Sequence, residues 1–191
     1  MTVGVLLLAA GRSRRFGSDK RRALLKDGRS LLDATLTAVS SSGLPLLVCL
    51  SPTDDELATA LADSGVTTVT CHEADHGMGH TLANGVAQVP SEWQGLLVAM
   101  GDMPWVQPTS YRDIAGHVSP DTIVVPQYAG QRGNPVGFGA AFFDLLAGIT
   151  GDRGARDIVR MHPDAVRALP VDDPGVLLDV DIPDALAWEG R

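Results

Sequence analysis

Short apolar runs alternate with segments of helical period along most of this chain. Val3–Leu8, Leu46–Leu50, Val66–Thr70, Leu96–Met100 and Thr122–Val125 are nearly continuous runs of aliphatic and β-branched residues. Runs of that length without polar alternation suit strands covered on both faces. The stretches between them read as helices. Ser30–Ser40 carries Leu32, Leu36 and Val39 on one side, and Thr53–Leu61 opens on an N-cap followed by first-turn acids in Pro52-Thr53-Asp54-Asp55-Glu56. Met78–Val89 and Thr109–His117 complete the set, the last preceded by Pro108.

A β-α-β-α alternation predicts an α/β fold of three layers, a doubly wound and mostly parallel sheet with right-handed crossovers. At 191 residues the expected organisation is a single domain, 1–191. Ligands on such sheets bind outside the carboxyl ends of the strands. The loops after Val3–Leu8 and Leu96–Met100 are therefore expected to meet at one site.

The second half is less regular. Gly130–Gly139 reads as a tight turn entering a short strand, and Gly151–Arg156 as a loop opening a helix that ends before Pro163. The tail Leu177–Leu186 reads as a strand, a polar step, and a helix with Pro183 in its first turn.

Charge sharpens the first of these loops. The chain has a net charge of −8, yet residues 12–29 hold eight of its fifteen Lys and Arg residues, both lysines among them. The ordinary reading of a charge run is a solvated basic face. Here the run directly follows the first strand, and Gly11 and Gly17 let backbone N–H groups approach an oxyanion while Lys20 supplies a point charge. That combination points to a phosphate cradle. An acidic chain without a further basic stripe argues against a nucleic-acid partner. No segment has the length of a membrane span. The arginines follow the first apolar run instead of preceding it, the reverse of a secretory leader, so the expected compartment is the cytoplasm. Cys49 and Cys71 read as buried free thiols.

Asp102, in Gly101-Asp102-Met103-Pro104, follows the Leu96–Met100 strand and is placed to hold Mg²⁺ opposite the phosphate loop. A helix cap is the competing reading, although Pro104 intervenes before the next helix. Asp179 and Asp181 alternate, so on a strand they share a face. Either can complete the metal site, and Asp181 before Ile182-Pro183 can equally be an N-cap. His72, His76 and His80 lack a zinc spacing signature, and Gly77 and Gly79 interrupt the helix that would align them. A nucleotide-contact loop entering a helix at Met78, with Thr81 near its N-terminus, is the better expectation. Neither a dinucleotide Gly-x-Gly-x-x-Gly fingerprint nor a Walker loop is present.

The run Leu8-Ala9-Ala10-Gly11-Arg12-Ser13-Arg14-Arg15-Phe16-Gly17-Ser18-Asp19-Lys20 resembles the signature of the sugar-nucleotidyltransferase-like superfamily, nearest its molybdenum-cofactor nucleotidyltransferases and their molybdopterin cytidylyltransferase branch. Gly77–Leu82, Gly101–Pro104, Arg132–Val136, Gly151–Arg156 and Asp179–Pro183 resemble the later motifs in the same order. The resemblance implies a Rossmann-like nucleotidyltransferase fold and a Mg²⁺-dependent transfer of CMP from CTP to a phosphorylated acceptor of molybdopterin type, with release of pyrophosphate. It implies Arg15, Lys20 and Asp102 as catalytic residues. Leu8, Ala9, Ala10, Gly11, Arg12, Ser13, Lys20, Gly77, Met78, Thr81 and Gly101 would bind nucleotide. Asp102 and Asp181 would bind metal, and Arg132, Asn134, Pro135, Asp152 and Arg156 the acceptor. Ala10 resembles the cytidine-specific form, where the guanosine branch tends to carry Gly. A molybdoenzyme apoprotein is an implied partner. The chain departs from the pattern in one extra residue between Lys20 and Gly28, which leaves Arg21 or Arg22 as an alternative sharer of the lysine's role. Cys71 stands where an Asn is common and Asn134 where a His is. The rivals are a GTP-dependent or other-acceptor transferase and a non-catalytic carrier of the cofactor.

Overall fold

The computed structural model describes residues 1–11, 19–151 and 154–181. Eight strands form one sheet: β1 Thr2–Leu8, β2 Leu46–Leu50, β3 Thr67–Thr70, β4 Trp93–Met100, β5 Ile123–Tyr128, β6 Gln131–Arg132, β7 Val136–Gly139 and β8 Val166–Pro170. Their order is β3-β2-β1-β4-β7-β5-β6, with β8 also paired to β5. The first four strands are mutually parallel. β7 runs antiparallel to both of its neighbours and thereby returns β5 to the direction of β4. The fold is thus mixed α/β with a mostly parallel sheet, as the alternation predicts.

Among the described residues six α-helices accompany the sheet: α1 Leu31–Ser41, α2 Asp55–Asp63, α3 Met78–Val86, α4 Pro108–His117, α5 Phe143–Ala147 and α6 Arg156–Met161. Side chains alternate across the strands, so each residue set feeds a different core. Val3, Val5 and Leu7 of β1 pack with Leu32, Leu36 and Val39 of α1 and Tyr111 and Ile114 of α4. Leu6 and Leu8 pack on the other face with Leu82 and Val86 of α3, Leu146 of α5 and Ile158 of α6. Full burial of such an aliphatic side chain is worth about 1.5–3 kcal/mol relative to leaving it exposed, which drives both layers onto the sheet.

The differences from expectation have local causes. α2 begins at Asp55 instead of Thr53, and its N-cap Asp54 makes no side-chain cap bond. The Asp54 carboxylate is drawn away to the Arg21 guanidinium and to the Ser51 N–H. β8 escapes the apolar-run criterion because it lies at the sheet edge, where Arg167 and Ala168 face outward. The predicted strand at Leu177 is absent: Pro174–Leu177 forms a 3₁₀ turn, its proline fixed in the first position. An extended segment follows, whose Val180 N–H donates to the Asp102 carbonyl (3.0 Å). The predicted helix after Ile182 lies outside the described residues.

Candidate active site

β1 and β4 lie side by side with Leu8 opposite Met100. Their carboxyl ends therefore deliver Ala9-Ala10-Gly11 and Gly101-Asp102 to one place, and the Gly101 N–H donates to the Leu8 carbonyl (3.0 Å). A cleft of about 1240 Å³ opens there. Leu8, Ala9, Ala10, Gly11, Lys20, Gly77, Met78, Thr81, Gly101, Asp102, Arg132, Asn134, Arg156 and Asp181 all line it. Pro135, joined to Asn134 by a cis peptide, is not part of the wall. Arg12, Ser13, Arg15 and Asp152 lie outside the described residues.

Asp102 is the centre of the site. It is 9% exposed, and its Oδ2 accepts a hydrogen bond from Lys20 Nζ at 2.5 Å. Its Oδ1 is buried and has no hydrogen-bond partner among the described residues. Burial raises the Asp102 pKa above the ordinary carboxylate value, Lys20 opposes the shift, and the neighbouring Asp179 charge adds to it. Asp102, Asp179 and Asp181 each place a carboxylate oxygen within 4.8 Å of the others. A buried carboxylate oxygen lacking a donor, beside two further carboxylates, is a donor set that fits a hard divalent cation. Lys20 also donates to the Val180 carbonyl (3.1 Å) and lies 3.6 Å from Asp181, so one ammonium bridges two of the three carboxylates.

Of the cations after β1 that are described, Lys20 is the one whose charge enters this group. The Arg21 guanidinium is committed elsewhere: it bridges both Asp54 oxygens (2.6 and 2.8 Å), both Asp19 oxygens and the Ala9 carbonyl. Arg22 is largely exposed and Arg29 pairs with Asp27 on the surface. Of Lys20, Arg21 and Arg22, Lys20 is the one paired with Asp102, while Arg21 lines the same cleft from its pairing with Asp54 and Asp19.

The far walls are built from three later segments. Gly77 holds a φ of +122°, a conformation that side chains rarely adopt, and turns the chain so that α3 begins at the cleft. The Gly79 N–H in its first turn donates to the Gly151 carbonyl (2.7 Å), which ties the loop before α6 to this helix. Asn134 N–H donates to the Val176 carbonyl (2.9 Å), joining the β6–β7 region to the acidic segment.

Sequence reasoning misses the residue that fixes that segment. Asp173 is 2% exposed; its Oδ2 accepts from Gln107 N–H (2.8 Å) and Ser110 Oγ (2.7 Å), and its Oδ1 from Gly175 N–H (2.9 Å). A carboxylate at the N-terminus of α4 is favourably placed, and this one anchors the chain six residues before Asp179. Only its position three residues after Pro170 in a polar loop marks it in the sequence. A second group also forms: Glu73, His76 and His80, without His72, bring one ligand atom each within 4.8 Å. Cys49 and Cys71 are buried free thiols, as expected.

The model of the MobA-like NTP transferase domain matches residues 5–167. The purine catabolism protein PucB of Bacillus subtilis (strain 168) is 26% identical over 192 residues, which is 95% of this chain and 92% of that one. The nicotine blue oxidoreductase of Paenarthrobacter nicotinovorans is 26% identical over 185 residues, 92% and 90% of the two chains. Among solved structures, Rv0371c of Mycobacterium tuberculosis H37Rv superposes with a TM-score of 0.85 at 31% identity, covering 97% of this chain and 95% of that one. Rv0371c in complex with manganese gives 0.82 at 29% identity over the same shares.

Proposed function

The chain belongs to the MobA-like NTP transferase family, and from that premise we propose that this nucleotidyltransferase moves CMP from CTP to a phosphorylated acceptor of molybdopterin type. In the reaction an acceptor phosphate oxygen forms a bond to the α-phosphorus while the bond to the β-phosphate oxygen breaks, and pyrophosphate leaves. The observation that carries the reading is the cluster of Lys20, Asp102, Asp179 and Asp181 at the adjoining ends of β1 and β4.

Each described residue has a chemical task in this reading. The Ala10–Gly11 backbone and the Met78 N–H at the start of α3 would face nucleotide oxygens, helped by the positive end of the helix. Lys20 places its ammonium against phosphate charge, where a preorganised cation lowers the energy of the transfer. Arg132, Asn134 and Arg156 on the opposite wall suit an anionic acceptor. Arg12, Ser13, Arg15, Asp152 and Pro135 enter by family resemblance alone. Ala10 favours cytosine over guanine by the same resemblance.

Asp102, Asp179 and Asp181 would hold a divalent cation, Mg²⁺ in our reading, which supplies charge neutralisation at the phosphates and stabilises the charge that builds during transfer. The manganese complex of Rv0371c supports a divalent ion in this family. Low exposure of Asp102 keeps its carboxylate from being screened by water. No described helix is long and apolar enough to cross a membrane, and a cytoplasmic location accords with the family. A molybdoenzyme apoprotein is the partner that such a product implies. Pyrophosphate release, assayed with each nucleoside triphosphate and with molybdopterin present or absent, tests the donor, the acceptor and the activity together.

A further inference from the structure

Glu73, His76 and His80 lie outside the carboxylate group, and of the three His76 lines the cleft. Glu73 precedes the 3₁₀ turn Ala74–His76, and His80 lies in the first turn of α3. The positions 73, 76 and 80 follow the i, i+3, i+7 spacing of one helical face, and the structure keeps that face across the bend at Gly77. His80 Nδ1 is 3.1 Å from Glu73 Oε2. The His76 and His80 rings meet edge to face, their centroids 5.5 Å apart. One ligand atom from each of the three residues falls within 4.8 Å of the other two.

We propose that Glu73, His76 and His80 form a second metal site, for a borderline transition-metal ion of the zinc class. Two imidazoles and one carboxylate are the donor set of open zinc sites, in which a fourth position is left to water or a ligand. Ligand atoms around a tetrahedral zinc with bonds of about 2.0–2.1 Å lie roughly 3.4 Å apart. The Glu73–His80 pair already has that span, and the third ligand closes on it by a side-chain adjustment. Imidazole nitrogen selects such ions over Mg²⁺, while the all-carboxylate group at Asp102 has the opposite preference. The two sites differ in chemistry and in origin: one group follows β3 and the other follows β4, three strand positions away in the sheet. An ion here fastens the 3₁₀ turn to α3 across Gly77, the residue that shapes the nucleotide end of the cleft, and so stiffens His76, Gly77 and Met78 on its wall.

Titration of the full chain with Zn²⁺ by calorimetry, in excess Mg²⁺, tests the site. The expected result is saturable uptake that is lost in Glu73→Gln, His76→Ala and His80→Ala and kept in Asp102→Asn. Glu73 and His76 are exposed, so their replacement leaves the core untouched. Co²⁺ added to the wild type gives the visible absorption of a low-coordinate nitrogen–oxygen site, absent from the Glu73→Gln protein. Zinc uptake that survives the histidine and glutamate replacements, or that disappears in Asp102→Asn, overturns the proposal. So does the absence of saturable uptake in the wild type.

Discussion

Lys20 Nζ lies 2.5 Å from Asp102 Oδ2 and joins positions separated by 82 residues of sequence. The ion pair closes the loop after β1 onto the end of β4, and it puts an ammonium where the same carboxylate is to ligate a cation. Lysine and a divalent ion therefore compete for Asp102. Lys20→Met is expected to bind Mn²⁺ more tightly than the parent while losing turnover on the order of 10²-fold. Calorimetric titration with Mn²⁺ beside a steady-state assay checks both; weaker Mn²⁺ binding in the variant excludes the competition.

Asp102 should cost the fold stability at neutral pH. Burial holds its pKa above the ordinary 3.8, so the folded chain keeps a proton that the unfolded chain has released. Stability then falls as pH rises from about 3.8 through the raised pKa, and the penalty is fully present above it. Asp102→Asn removes the ionisation. In chelator, its thermal midpoint at pH 7 is expected to equal or exceed the parent's, and the advantage is expected to vanish below the ordinary pKa. Thermal melts across that range decide the matter, and a variant destabilised only at neutral pH contradicts it.

Arg21 and Arg22 are neighbours with opposite roles. Arg21 is a half-buried, multiply bonded ion pair with Asp54 and Asp19, and the two acids push its pKa up. Arg21→Ala leaves the half-buried Asp54 carboxylate with the Ser51 N–H but without its two guanidinium bonds, and is expected to cost about 2 kcal/mol. Arg22→Ala should change stability by less than about 0.5 kcal/mol, since its pairs are exposed and long. Urea unfolding of both variants measures the contrast.

Asp173 touches none of the three acidic ligands, yet its three accepted hydrogen bonds fix the segment that carries two of them. Asp173→Ala leaves those donors unpaired and is expected to cost about 2–4 kcal/mol. It should also weaken Mn²⁺ binding at temperatures where the variant remains folded. Unchanged Mn²⁺ affinity in the folded variant would assign Asp173 to stability alone.

Much of this arrangement is legible in the sequence because it follows from periodicity. Buried runs such as Leu46–Leu50 give parallel strands, and the strand-end rule then brings Lys20 and Asp102 together. What the sequence hides depends on long-range contact. The insertion of β7 in reverse between β4 and β5 leaves no local mark in Val136-Gly137-Phe138-Gly139. The Arg21–Asp54 and Asp173–Ser110 bonds join segments distant in sequence whose residues look like ordinary solvated polar positions. Asp179 and Asp181 converge with Asp102 on an extended segment, although the strand that suggested their shared face is absent. Glu73 joins His76 and His80 because the helical face survives the bend at Gly77, which the intervening glycines disguise.

The most direct test is pyrophosphate release from purified protein supplied with Mg²⁺, a nucleoside triphosphate and molybdopterin. Release is expected with CTP, requires the acceptor, falls with GTP, and is abolished in Asp102→Ala while that variant retains its fold. Tight binding of the cofactor with no pyrophosphate from any triphosphate would contradict that expectation and identify a carrier in place of an enzyme.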